Sequence, residues 1–111
     1  MQITTETLEN GITKVFMEGS LDISASEVVD QQLAAIAADS NGILLDMSGV
    51  SFLASIGIRS LVMATKSLHL RNRQMAILNP QEVVSKVLTT AAIDKIIPVF
   101  DDEDAALSAL A

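Results

Sequence analysis

Residues 42–61, GILLDMSGVSFLASIGIRSL, join two kinds of hydrophobic pattern. The first part, GILLDM, is apolar on both faces, which is the character of a short strand inside a sheet covered on each side. Ile58, Leu61, Val62 and Leu68 then recur at helical intervals, so a helix is expected to begin near Ser55. A buried strand feeding directly into a helix is the building unit of an α/β domain.

The flanking sequence extends this reading in both directions. QITTETL and ITKVFMEG are rich in β-branched residues, and Asn10-Gly11 between them tolerates the positive φ angles of a tight hairpin turn. Two antiparallel strands are therefore expected, with GSLDI (19–23) leading off the sheet. SASE (24–27) has capping-box spacing, and Val29, Leu33 and Ile36 give a first helix that stops at Ser40-Asn41-Gly42. After the Ser55 helix and the polar RNRQ, MAIL (75–78) reads as a buried strand. NPQE (79–82) offers Asn79 as N-cap, Pro80 at the first helical position and Glu82 to complete a box, with Val84, Val87, Leu88 and Ala91 as the inner stripe. IIPVF (96–100) is expected to be extended, and Pro98, which cannot donate to a ladder, puts that strand at an edge. DDED (101–104) suits the positive end of a last helix that runs through Leu107 and Leu110. The expected architecture is one α/β domain over residues 1–111, with a mixed sheet, an N-terminal antiparallel hairpin followed by parallel strands, and about four helices.

Composition narrows the function. Fourteen acids against seven Lys and Arg give a net charge of -7, which repels phosphate backbones and anionic membranes. Only three aromatic residues, all Phe, leave little for stacking nucleobases. Direct nucleic-acid binding is not expected. Cysteine is absent, so disulfides and thiolate metal sites are excluded. The N-terminus has no signal-peptide pattern and no window approaches the roughly 20 apolar residues of a membrane span. The expectation is a soluble cytoplasmic protein without membrane insertion, complete from Met1.

Ser55 is the residue that raises a chemical question, and three roles compete for it. As a hydrolase nucleophile it lacks the glycine two residues earlier that a nucleophile elbow uses. The only histidine, His69, lies 14 residues further along the same expected helix, about 21 Å away, and Lys66 about 16 Å away, so neither reaches it as a base. As a helix N-cap it would accept a bond from a nearby free amide. As an acceptor of phosphate it would stand where free amides and the helix dipole favour negative charge. The last two roles are compatible. Gly57 likewise has two readings: close backbone packing inside the domain, or clearance for a partner above Ser55. The five glycines match neither a dinucleotide fingerprint nor a P-loop, and one histidine with DDED makes no metal site. No cofactor and no catalytic residue is expected, so the chain is not read as an enzyme.

LLDMSGVSFLASIGIRSL, with an acid after the apolar run, a Val-x-Phe step and a Ser-x-Gly-Ile helix start, resembles the STAS domain of anti-sigma factor antagonists. MEGSLDISAS upstream resembles the family's Gly-x-Leu-Asp segment, and the likeness covers essentially the whole chain. It implies a transcription-regulating phosphoprotein that works by partner switching. The unmodified antagonist binds an anti-sigma factor that is also a serine kinase, so that a sigma factor is released; phosphorylation ends the complex, and a serine/threonine phosphatase resets it. Position by position, Ser55 matches the phosphoacceptor, and Asp22, Ser55, Ile56 and Gly57 match the partner-binding surface. Asp46 and Ser48 match the supporting strand-end segment. Ala54 departs from several members, which carry an acid there. The alternative implied by the same family is a non-switching STAS subunit of a lipid-transport or stress-sensing complex; a small-molecule binding domain would need a defined pocket.

Overall fold

The computed structural model describes residues 1–111. Five strands form one sheet in chain order, β1 (Gln2–Thr7), β2 (Ile12–Leu21), β3 (Gly42–Leu53), β4 (Met75–Leu78) and β5 (Val99–Phe100). The β1–β2 pair is antiparallel and every later pair is parallel. Four helices, α1 (Ile23–Asp39), α2 (Ser55–His69), α3 (Glu82–Thr90) and α4 (Glu103–Leu110), complete the mixed α/β domain. The expected fold class is the one found.

The layering follows from the strand order. When parallel strands are added one after another by crossovers of one hand, the connecting helices fall on one face of the sheet. Accordingly Val29 and Leu33 of α1, Leu61 and Leu68 of α2, and Val84 and Leu88 of α3 share one core with Val15, Met17, Leu45, Met47 and Ile77 of the sheet. The opposite face is covered by α4, whose Ala106 packs with Ile12, Leu44, Ala76 and Leu78. Alternate residues of β3 thus enter different cores, which is why GILL is apolar without a break.

Several boundaries differ from the sequence reading. β3 does not end at Met47 but continues to Leu53, because β2 runs alongside it as far as Leu21. Gly19–Leu21 therefore belong to the sheet and do not leave it; the register slips between Phe16 and Glu18 and again between Gly19 and Ser20. The β1–β2 connection has the positive φ expected at Asn10 and Gly11, with a short 3-10 turn at Glu9–Gly11.

Two helix starts are also reassigned. Asp22, not Ser24, caps α1: its carboxylate accepts from the amides of Ser24 and Ala25, and the Ser24 hydroxyl donates to the same oxygen. Gln81, not Asn79, precedes α3, since Asn79 adopts φ 50° and so lies outside the helical path. The IIPVF stretch is extended only at Val99–Phe100, on the sheet edge that Pro98 suggested. Ala91 lies exposed beyond the inner stripe of α3.

Candidate functional site around Ser55

The C-terminal ends of β2 and β3 form a shared rim. Leu21 pairs with Leu53, and the amide of Ala54 donates to the Leu21 carbonyl at 3.0 Å. That bond holds Ala54 extended (φ -85°, ψ 163°), so α2 can start only at the next residue. Ala54 is the N-cap, its carbonyl accepting from the amides of Gly57 (2.9 Å) and Ile58 (3.1 Å). Ser55 is thus the first helical residue and makes no side-chain cap bond, which overturns the N-cap reading. Its hydroxyl lies exposed and uncommitted at the rim.

Asp22 sits on the neighbouring connection of the same rim, because Leu21 and Leu53 are register partners. Hydrogen bonds from Ser24 and Ala25 hold its carboxyl below the ordinary value of 3.8, the Ser24 hydroxyl being the main cause. The rim also presents apolar surface: Ile23 is 78 % exposed, Phe52 51 % and Val83 54 %. Ile56 is half-buried.

Gly57 is buried, and the packing reading is the one realised. A β-carbon there would stand 2.6 Å from Leu21 Cγ and 3.0 Å from both the Leu21 carbonyl oxygen and Leu53 Cδ1. The residue lets α2 cross the ends of β2 and β3 and offers no surface of its own to a partner.

Asp46 and Ser48 lie mid-strand and not at a strand end. Asp46 pairs with Phe16 on one side and Leu78 on the other, seven positions before the end of β3. Its carboxylate accepts from the Ser48 amide at 3.0 Å, while the Ser48 carbonyl accepts from the Gln81 side chain at 2.8 Å. These bonds tie β3 to the entry of α3.

An open groove of about 420 Å³ separates the start of α2 from α3 and is lined by Ser55, Ile58, Val83, Lys86, Val87, Thr90 and Ala91. Sequence reasoning assigned Ile58, Val87 and Ala91 to the helix interiors and missed Val83 and Lys86. Val83 stands just ahead of the Val84, Val87, Leu88 stripe, and an apolar residue outside that i, i+3, i+4 set was the available signal. His69 is exposed at the other end of α2, so no imidazole approaches Ser55. No helix is long and apolar enough to cross a membrane.

The STAS domain family model matches residues 3–106. An anti-sigma factor antagonist from Mycobacterium paratuberculosis superimposes with a TM-score of 0.84 at 24 % identity, over 98 % of this chain and 94 % of that one. The phosphorylated form of the Bacillus cell fate determinant SpoIIAA gives 0.74 at 17 % identity, over 97 % and 99 % of the two chains. The murine anion transporter Solute Carrier 26 family member A9 matches with 0.75 at 22 % identity, over 88 % of this chain but only 17 % of its own length. At such identities the likeness speaks for the fold, and the family match spans nearly the whole sequence. The chain belongs to the STAS domain family.

Proposed function

We propose that this protein is an anti-sigma factor antagonist that binds an anti-sigma factor with serine kinase activity and is switched off by phosphorylation at Ser55. The observation that carries the reading is an exposed, uncommitted hydroxyl at the first turn of α2, set among the exposed side chains Ile23, Phe52 and Val83 on a STAS fold. A kinase can reach such a hydroxyl without unfolding the domain. The γ-phosphoryl group of ATP passes to Ser55 Oγ, the bond to the bridging oxygen of ADP breaks, and the hydroxyl proton leaves to a base on the kinase. A phosphatase reverses the state by hydrolysis, returning serine and inorganic phosphate.

The energetics favour a switch at this position. Burying a side chain such as Phe52 against a partner contributes about 1.5–3 kcal/mol. A phosphoserine adds close to two negative charges, and desolvating an ion costs several kcal/mol unless it is paired. The penalty exceeds the gain from any one of these apolar contacts. The chain itself serves as acceptor and not as catalyst, with cytoplasm as its compartment. The fixed-subunit reading has the transporter likeness behind it, but it leaves the exposed hydroxyl without a role.

The test is to mix the protein with ATP and the anti-sigma factor kinase and to map phosphate by mass spectrometry, expecting Ser55. Phosphate on another residue, or none with a kinase active on a control substrate, would sink the assignment. In parallel, Ser55→Glu should weaken kinase binding by about tenfold or more, and unchanged affinity would count against the charge argument.

A further inference from the structure

The α2–α3 groove that Ser55 lines carries one charged side chain on its wall. Lys86 of α3 lines the groove together with Ser55. Its ammonium lies 3.6 Å from Glu82 Oε1, both side chains being largely exposed, so the existing pair is weak and easily exchanged. Arg59 is exposed and stands four residues after Ser55, which places it on the same face of α2 one turn away. The chain's two side-chain ion pairs are Lys14–Glu103 and Lys86–Glu82, and Arg59 has no carboxylate partner. In a chain with twice as many acids as bases, one cation thus shares the groove with this hydroxyl and a second follows it by one turn of α2. Of the acids on neighbouring elements, Glu82 of α3 pairs with Lys86, and Asp22 on the β2–α1 connection is already occupied in capping α1.

We propose that Arg59 and Lys86 form an intramolecular binding site for the phosphate carried by Ser55, so that modification latches α3 to the start of α2 across the groove. The site rests on Ser55 being the residue that carries phosphate, as proposed above. A phosphate dianion offers three acceptor oxygens and outcompetes the single carboxylate of Glu82 for Lys86. The arginine fork binds the same group from α2. Once bridged, the groove walls Ile58, Val83 and Val87 are covered by the chain's own charged side chains. A partner is then excluded by loss of the apolar groove as well as by charge.

Phosphoserine can be installed at position 55 during translation by stop-codon suppression, which makes the test independent of any kinase. Phosphorus NMR then follows the second ionisation of the phosphate with pH. Nearby cations favour the dianion, so Arg59→Gln and Lys86→Gln should each raise that pKa by about 0.5, and Glu82→Gln, which frees Lys86, should lower it. Lys66→Gln removes the same charge about 16 Å along α2 and should change it little. Equal pKa values in the parent, Arg59→Gln and Lys86→Gln proteins would overturn the site, as would an equal rise in Lys66→Gln. If the shifts appear while the kinase assay leaves Ser55 unmodified, the phosphate site stands and the antagonist reading fails.

Discussion

Gly57 and Leu21 meet where α2 crosses the end of β2, and the space between them is smaller than a methyl group. A β-carbon at position 57 would stand 2.6 Å from Leu21 Cγ, and Leu21 is fully buried with its carbonyl already bonded to Ala54. Neither the side chain nor the backbone can withdraw without disturbing the helix start that carries Ser55.

Gly57→Ala is therefore expected to destabilise the domain. Helix propensity alone would favour the change by about 1 kcal/mol. Overpacking of a filled core costs about 1–3 kcal/mol, and here the obstruction includes backbone, so the loss should win. Urea denaturation of the two proteins checks the sign.

Ser55→Ala should leave stability within about 0.5 kcal/mol of the parent, the range of ordinary surface substitutions. A serine that capped α2 would lose about 1 kcal/mol on the same change. Thermal melting separates these outcomes and, with them, the N-cap role from the uncommitted hydroxyl.

Asp22→Ala removes the acceptor for two amides and one hydroxyl and should lower Tm by a few degrees, with Asp22→Asn retaining most of the capping. The pH dependence has a definite sign. Asp22 is held below its ordinary 3.8 in the folded chain. Its contribution is complete above 3.8 and is lost as pH falls through the lowered folded value. The gap in Tm between parent and Asp22→Ala should close on acidification.

The Lys14 ammonium lies 2.6 Å from Glu103 Oε1 and links β2 to α4. The hydrogen bond from Lys14 to Glu103 is the main cause that raises the lysine above its ordinary 10.5, against desolvation, with the charges of Glu103, Asp46 and Glu6 assisting. Glu103→Gln should cost under about 1 kcal/mol at neutral pH, because both side chains are partly exposed. The raised lysine contributes fully below 10.5, and the contribution disappears as pH rises through the higher folded value. Denaturation series on either side of that range should show the difference between the two proteins vanish.

The order of strands and helices was legible in the linear pattern because each element carries its own signal. GILL and MAIL are apolar at consecutive positions because alternate residues enter two cores, and Leu61 and Leu68 of α2 recur with the helical period because they enter one. Asn10-Gly11 and Pro98 announced their backbone geometry in the same local way. The family was legible too, since LLDMSGVSFLASIGIRSL stands together in the chain.

Cap positions and the site were a different matter. Ser24, Asn79 and Ser55 all have good capping chemistry, yet Asp22, Gln81 and Ala54 hold those positions. Ala54, with no capping side chain, is held extended by the Leu21 carbonyl, and that bond comes from a strand 33 residues away in sequence. The choice between packing and clearance at Gly57 depended on Leu21 in the same way. Lys86 reaches the Ser55 groove only because α3 lies on the same face of the sheet as α2. Local periodicity and turn chemistry act within a few residues and are written in the chain; which hydroxyl is left free, and which cations face it, is set by contacts between elements distant in sequence.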